Sequence, residues 1–224
     1  MIIANRNLLK DAVITATNEH TSYPVYNVVE RWKKQVFRTA DGTTTTTISA
    51  DWGGVEKVSS LFVMFHNALS VAVRFYDGGL VDTWTEFVVH KEVEASRVEI
   101  DLVGAVELYV GLIFIGDSLY FKKSAEQDMP LVSSDSPTFS SDGQVAGRKG
   151  SVRRGGNVEI PFLSEAEREA IEAVFYECGL TEPFYLDLWQ DSDFPPLYGV
   201  FTSDLGVVHL EEGDTVSFDF MEVN

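Results

Sequence analysis

The sequence has almost no cysteine and no long apolar run. Its 224 residues contain a single cysteine, Cys178, which excludes an internal disulfide and any zinc site built from several thiolates. No segment approaches the roughly 20 consecutive apolar residues that a membrane helix requires. We therefore expect no metal, no cofactor and no membrane insertion. The four histidines are isolated from one another and form no short-spaced ligand pair: His20, His66, His90 and His209.

Common catalytic and nucleotide-binding motifs are also missing. There is no GxSxG, no P-loop and no glycine-rich dinucleotide fingerprint. Asp187, Asp191 and Asp193 in "DLWQDSD" are a candidate cluster for a hard cation. The glycine and distal glutamate of a calcium loop are absent, which favours a solvated acidic loop. Carboxylate pairs for acid-base catalysis are defined by distance and have no sequence signature. We predict no catalytic residues and no enzyme activity.

Positive charge is scarce in the last third of the chain. The whole sequence has 17 Lys and Arg against 35 Asp and Glu, a formal net charge of −18. Residues 155–224 contain 16 acidic residues and one basic residue, Arg168, for a net charge of −15. Nucleic-acid binders gain affinity through Lys and Arg contacts to phosphates, so this composition argues against general DNA or RNA binding.

Four cations stand directly before the acidic region, in "GRKGSVRRGG". Three interpretations remain open for this cluster. It is a solvated hairpin, a contact with the acidic surface of a neighbouring subunit, or a phosphate contact. The candidate subunit-interface residues are Arg148, Lys149, Arg153 and Arg154.

The first half of the chain has the pattern of an all-β domain. From residue 47 to about residue 115, short runs rich in Val, Ile, Phe and Tyr alternate with Gly, Asp and Asn. In "RVEIDLV", Val98, Ile100 and Leu102 are expected to face inward, with Glu99 and Asp101 outward. Many short strands with regular turn signals indicate a sandwich or jelly roll.

The second half combines one helix with strands. Residues 121–141 are polar and contain two prolines, which predicts a linker. In "SEAEREAIEAVFYECG", Ser164 and Glu167 form a capping box and Gly179 stands at the helix end. We predict a mainly β protein: a jelly-roll β-sandwich at 1–120, a linker at 121–141, and an α+β domain at 142–224 with a β-hairpin, one helix and barrel-like strands.

One stretch, "TATNEHTSYPVYNVVERWKKQVFRT", concentrates aromatic and basic residues without a clear period. It is either a binding rim or a structural feature of the β-module. Pro24 restrains its own φ and favours an extended Tyr23, Asn27 suits a local backbone hydrogen bond, and Phe37 suits the end of the sandwich. The candidate contacts with a partner or a glycan are Arg31, Trp32, Lys33, Lys34 and Arg38 here, and Trp52 and Trp84 further along; Tyr26 is a further stacking candidate.

Several quoted motifs resemble a known family when they are taken in order. They are "NLL" at 7–9, "VITAT" at 13–17, "YPVYNVVE" at 23–30, "ISADWGG" at 48–54, "VSSLFVMFHNALS" at 58–70 and the closing "LYVGLIFIG". Over roughly residues 5–118 this order resembles the discoidin-like, galactose-binding-like β-sandwich found in bacteriophage tail proteins. The family's ligand-binding residues have no match by motif, so sugar binding does not follow from the resemblance. The segment "GQVAGRKGSVRRGGNVEIPFLSEAEREAIEAVF" is similar to the unit that builds rings at the distal end of siphophage tails.

The resemblance implies a structural protein of a phage tail tip, a distal-tail or minor tail protein. It would form a homo-oligomeric ring, hexameric or trimeric, and connect the tail tube and tape measure to the hub. We would then expect synthesis in the host cytoplasm, a place in the virion, and DNA only in passage through an acidic lumen. The alternative function is a carbohydrate-binding module or host-surface adhesin with a glycan as partner. A third, a glycosidase, has no visible site.

Overall fold

The computed structural model describes residues 1–29, 36–121, 126–128, 131–133, 136–139, 145–148, 152–188 and 196–223. Within these ranges the protein is mainly β, with one α-helix and two large antiparallel sheets. The chain divides into two compact units, residues 6–118 and residues 1–5 with 119–224. The fold class expected from the sequence is thereby confirmed. No helix in the described part of the chain is long and apolar enough to cross a membrane.

The first strand belongs to the same unit as the C-terminal half of the chain. Strand β1 (Ile2–Ala4) pairs with the strand at Phe184–Asp187 and with the short strand at Leu119–Tyr120. The side chains of Ile2 and Ile3 are buried there. The sequence predicted a sandwich domain at 1–120, whereas residues 1–5 lie in the other unit. In the structure the sandwich unit is an insertion, in sequence, between two strands of the other unit.

The sandwich unit contains seven strands and two short 3-10 turns. The turns are Leu8–Lys10 and Val25–Val28. The strands are β2 (Val13–Ala16), β3 (Phe37–Arg38), β4 (Thr45–His66), β5 (Ala68–Asp77), β6 (Gly79–Trp84), β7 (Val88–Gly104) and β8 (Tyr109–Gly116). Their order in the sheet is β3-β8-β4-β7-β5-β6, and β2 pairs with the first half of β4.

Strand β4 is interrupted near its middle and pairs with different strands on the two sides of the interruption. Its pairing with β7 shifts between Asp51 and Glu56, and Gly53 in that interval has φ +72°. Before the interruption β4 pairs with β2, and after it β4 pairs with β8. The alternation predicted for β7 is confirmed, since Val98, Ile100 and Leu102 are fully buried in the core.

The described part of the other unit contains β1 and ten further strands. They are β9 (Leu119–Tyr120), β10 (Glu126–Asp128), β11 (Leu131–Ser133), β12 (Ser136–Phe139), β13 (Val145–Arg148), β14 (Val152–Leu163), β15 (Phe184–Asp187), β16 (Leu197–Phe201), β17 (Gly206–Leu210) and β18 (Gly213–Glu222). Nine of these strands form one sheet of order β10-β14-β18-β16-β15-β1-β9, in which β11 also pairs with β14 and β17 with β18. Strands β12 and β13 form a separate two-stranded sheet. Part of the segment predicted as a linker, residues 121–141, is therefore strand.

Helix α1 (Glu165–Cys178) begins and ends where the sequence predicts. The Ser164 hydroxyl accepts from the Glu167 N–H, and the Glu167 carboxylate accepts from the Ser164 N–H at 2.8 Å. The Gly179 N–H bonds the Phe175 carbonyl at 2.7 Å. One face of the helix is buried in the core of this unit, as expected for its apolar spacing. That core also contains three packed aromatic rings, from Phe184, Phe201 and Phe218.

Candidate functional site

The loop between β2 and β3 is fixed by hydrogen bonds in its described part. The Tyr23 N–H bonds the His20 carbonyl at 3.0 Å, and the Arg38 N–H bonds the Tyr23 carbonyl at 3.3 Å. The Asn27 side chain donates to the Val36 carbonyl at 2.9 Å, so it joins the two ends of this segment instead of bonding locally. The described parts of the aromatic and basic stretch, residues 15–29 and 36–39, are thus held against edge strand β3 by hydrogen bonds.

Arg38 packs over Tyr23 and lies on the same face of this edge as Tyr109. In the β3–β8 pairing Phe37 faces Val110 and Arg38 faces Tyr109. Phe37 and Val110 are fully buried, so Arg38 and Tyr109 point to the opposite face. The guanidinium carbon of Arg38 lies 4.5 Å from the centroid of the Tyr23 ring. Tyr109 is its cross-strand neighbour and is 42% exposed.

Polar groups complete this surface. The Arg38 Nε is buried and has no hydrogen-bond acceptor among the described residues. The His20 ring packs 5.1 Å from Tyr23, and its Nδ1 accepts from the Ser22 N–H. With Nδ1 as acceptor, a neutral His20 carries its proton on Nε2, which lies 4.0 Å from an Asp41 oxygen. We call this set the Tyr23–Arg38 surface: His20, Tyr23, Arg38, Asp41 and Tyr109.

The end of β4 supports the Tyr109 side of the surface. The Asn67 side chain accepts from the Tyr109 N–H at 2.9 Å and donates to the Glu107 carbonyl at 2.8 Å. Phe65 has φ +55°, a conformation that a bulky residue rarely adopts. It packs against Gly111, where an added Cβ would lie 2.8 Å from the Cβ of Phe65. Strained backbone of this kind often accompanies binding sites.

A concave feature lies along β6 and β7, with a volume of about 630 Å³. Its charges are largely paired. Lys91 Nζ lies 2.6 Å from Asp82, and Lys57 Nζ lies 3.1 Å from Glu92. The hydrogen bond from Lys91, together with those from the Trp84 indole and the Thr83 N–H, lowers the pKa of Asp82 below its ordinary value. The groove is lined by Asp77, Val81, Asp82, Lys91, Glu92, Val93 and Glu94.

The sequence candidates for glycan contact have different positions. Trp84 is buried in the sandwich core, with its ring tilted 55° against that of Phe75 at 4.3 Å, and its indole N–H donates to Asp82. Trp84 is 3% exposed and presents no ring face to a ligand, so the prediction that it stacks on a glycan is wrong. Trp52 is half-buried and donates to the Leu8 carbonyl at 3.1 Å. Tyr26 is 52% exposed. Arg31, Trp32, Lys33 and Lys34 lie outside the described residues.

The candidate interface cations are also differently placed. Arg154 lies in β14 and forms an ion pair with Glu222 of the same chain, Nη2 to Oε1 3.0 Å. Arg153 is half-buried in the same strand. The backbone of Arg148 belongs to β13, while its side chain and Lys149 are outside the described part. An intersubunit role for Arg154 would therefore compete with an internal pair.

Metal binding finds no support in the described ranges, which contain no group of three His, Cys, Asp or Glu side chains able to hold an ion. Asp187 is buried in β15. Asp191 and Asp193 fall outside the described residues, so the cation loop stays a prediction. Cys178 is buried on the core face of α1, as expected.

Sequence reasoning missed Tyr109 and Asp41 as members of the Tyr23–Arg38 surface. The only signal for Tyr109 was its place before a buried run in "LYVGLIFIG". Its position beside Arg38 depends on the β3–β8 register, which joins residues about 70 apart in the chain.

The chain resembles known proteins in structure only. No family model and no curated protein sequence matches the chain. A GH29 fucosidase from Ruminococcus gnavus in complex with fucose aligns with 51% of this chain and 27% of its own, at 15% identity and a TM-score of 0.45. This chain thus spans about a quarter of the fucosidase.

Two carbohydrate-binding modules align over most of their own length. The family 32 module of Clostridium perfringens NanJ, in complex with galactose, aligns with 53% of this chain and 100% of its own, at 15% identity and a TM-score of 0.41. Chitosan-binding module 1 from a Paenibacillus chitosanase/glucanase aligns with 50% of this chain and 99% of its own, at 11% identity and a TM-score of 0.42. Likenesses this weak establish neither family nor function.

Proposed function

We propose that the sandwich unit binds carbohydrate at the Tyr23–Arg38 surface. The observation that carries the proposal is the Arg38 guanidinium, held 4.5 Å over Tyr23 and beside the exposed Tyr109. Tyrosine rings pack against the apolar faces of sugar rings, and a guanidinium donates several hydrogen bonds in a fixed plane.

Preorganisation supports the same proposal. The loop carrying His20 and Tyr23 is tied to Arg38 by backbone hydrogen bonds, and Tyr109 is tied to Asn67. Binding would therefore order few side chains, which reduces the entropy lost on association. The exposed Asp41 carboxylate offers an acceptor to a ligand.

Local charge favours an acidic sugar. Residues 31–38 contain four cations and no carboxylate, in a chain whose overall charge is −18. A uronic acid or another carboxylated sugar would pair with a guanidinium better than a neutral hexose does. Binding should then weaken as salt concentration rises, because exposed charges are screened.

The test is binding of the full chain to a glycan array, followed by calorimetric titration of the best ligand. We expect Arg38→Ala and Tyr109→Ala each to weaken binding about tenfold or more, equivalent to about 1.4 kcal/mol. Tyr176→Ala is the matched control, because Tyr176 is 82% exposed on the helix of the other unit. Equal affinity of wild type and both site variants, with folding confirmed by circular dichroism, would contradict the proposal.

A structural role in a phage tail tip is the second candidate, favoured by the division of charge along the chain. A net charge of −15 in residues 155–224 follows directly on four cations. A ring in which one patch meets a different patch of the next subunit needs such complementary surfaces. The tube protein, tape measure and hub would be its partners in the virion, and a host glycan would be bound by the sandwich unit.

The internal pairing of Arg154 changes how that role should be tested. Reversal of Arg154 would break its pair with Glu222 as well as any subunit contact, so loss of assembly in that variant alone would not identify the interface. The mass of the wild type by light scattering, and its appearance by negative-stain electron microscopy, should show a ring that Arg153→Glu prevents. A monomer at every concentration tried would count against this role and leave glycan binding untouched.

A further inference from the structure

Strand β17 (Gly206–Leu210) is an open edge of the nine-stranded sheet. Within the described residues it pairs with β18 and with no other strand. Edge strands usually carry lysine, proline or a bulge that prevents further pairing. The sequence "GVVHL" has no lysine and no proline, and its register with β18 runs without a shift from Gly206 to Leu210. The strand is therefore competent to accept another strand.

Hairpin geometry shows which backbone groups face outward. Leu210 and Gly213 close a two-residue turn, and the closing pair of such a hairpin exchanges backbone hydrogen bonds. Because the direction of the backbone groups alternates along an antiparallel pair, the N–H and C=O of Val208 and Leu210 point toward β18. The N–H and C=O of Val207 and His209 point to the open edge. A docking strand would bond these groups.

Exposed apolar side chains accompany that edge. Val208 and Leu210 share one face of β17 and are 55% and 52% exposed. These two side chains offer apolar contacts to alternate residues of an added strand, as in recognition by strand addition.

The charges around the open edge of β17 indicate which kind of strand would bind there. Glu211, Glu212 and Asp204 are exposed at the two ends of β17. The one basic residue in 155–224, Arg168, is already engaged, with oxygens of Glu172 at 2.6 Å and Asp214 at 2.8 Å. An antiparallel second copy of β17 would bring Glu211 and Glu212 near Asp204 of its partner, which like-charge repulsion opposes.

We propose that β17 docks an extended strand of another protein in which apolar residues alternate with lysine or arginine. Backbone hydrogen bonds to Val207 and His209 supply the pairing, Val208 and Leu210 take the apolar side chains, and the acidic ends take the cations. This inference is independent of glycan binding, which concerns the other unit.

The experiment uses the full chain and a capped, labelled heptapeptide of alternating lysine and valine as the probe. Fluorescence anisotropy should show binding that falls with salt, and amide hydrogen exchange should show slower exchange at His209. Two control peptides separate strand pairing from simple charge attraction. In one, prolines replace the valines and the charge is kept; in the other, glutamates replace the lysines. We expect both control peptides to bind more weakly than the lysine–valine peptide.

Two sets of variants then locate the interaction. His209→Pro removes the outward N–H and should weaken probe binding about tenfold or more, whereas His209→Ala keeps that N–H and should bind as the wild type does. Glu211→Lys with Glu212→Lys should weaken binding even if the proline variant does not fold. Equal binding of the valine and proline peptides, or no effect of the charge reversal, would overturn the proposal. So would a dimer formed through β17, because the occupant would then be a second copy.

Discussion

Arg154 and Glu222 form a two-point ion pair between β14 and the end of β18. The Arg154 Nη2 lies 3.0 Å from Oε1 of Glu222, and its Nε lies 3.3 Å from Oε2. The side chains are 24% and 11% exposed, so water screens the pair only partly. Arg154 was predicted to contact a neighbouring subunit, and in the structure it pairs with its own chain. It is the last cation of the basic cluster, directly before the acidic region.

Removing one partner of this pair should destabilise the fold. Glu222→Gln leaves the partly buried Arg154 guanidinium without its counter-charge, and we expect the free energy of unfolding to fall by about 1–3 kcal/mol. Urea denaturation measures the change. Glu211→Gln, at an exposed turn, is the control and should stay within about 0.5 kcal/mol of wild type. Equal stabilities for the two variants would show that the pair contributes nothing net.

The capping box of α1 should contribute measurably to stability. Ser164→Ala removes the hydroxyl that accepts from the Glu167 N–H, and we expect a loss of about 1 kcal/mol. Thermal unfolding followed by circular dichroism at the helical band is the measurement. Ser70→Ala, on an exposed position of β5, should have little effect. A Ser164→Ala protein as stable as wild type would mean that water replaces the cap.

Phe65 and Gly111 should be energetically coupled. Gly111→Ala places a Cβ 2.8 Å from that of Phe65, which should cost about 1–3 kcal/mol. In a Phe65→Gly background that clash disappears, so the same substitution should cost at least about 0.5 kcal/mol less. A double-mutant cycle in urea gives the coupling, and Gly54→Ala, with open space around it, is the tolerated control. Additive effects would argue against direct packing.

The Asp82 carboxyl should make stability depend on acid pH. Its pKa is lowered, mainly by the hydrogen bond from Lys91, so the folded state holds the charged form more firmly than the unfolded chain does. This contribution is present above the ordinary value of 3.8 and is lost as the pH falls through the lower folded pKa. Asp82→Asn should therefore reduce stability at neutral pH and have a smaller effect in strong acid.

Denaturation of wild type and Asp82→Asn across that acid range measures the difference. Glu86→Gln, in the exposed turn between β6 and β7, is the control and should show no comparable trend. A constant difference between Asp82→Asn and wild type at every pH would mean that packing, and not the charge, explains the effect.

Local patterns were sufficient for the individual elements. Alternation along "RVEIDLV" predicted the buried face of β7, and Ser164, Glu167 and Gly179 marked the bounds of α1. These features depend on neighbours within a few residues, because side-chain periodicity and caps are set by local backbone geometry. The same patterns could not show that Trp84 is buried, since its environment comes from other strands.

By itself, the sequence determined the mainly β class, the bounds of helix α1 and the separation of charge along the chain. Tertiary structure decided where each strand pairs: β1 joined β9 and β15, Arg38 came to lie beside Tyr109, and Arg154 met Glu222. Each of these contacts links residues tens of positions or more apart. Their register follows from packing and backbone hydrogen bonds over the whole sheet, which no local stretch of sequence encodes.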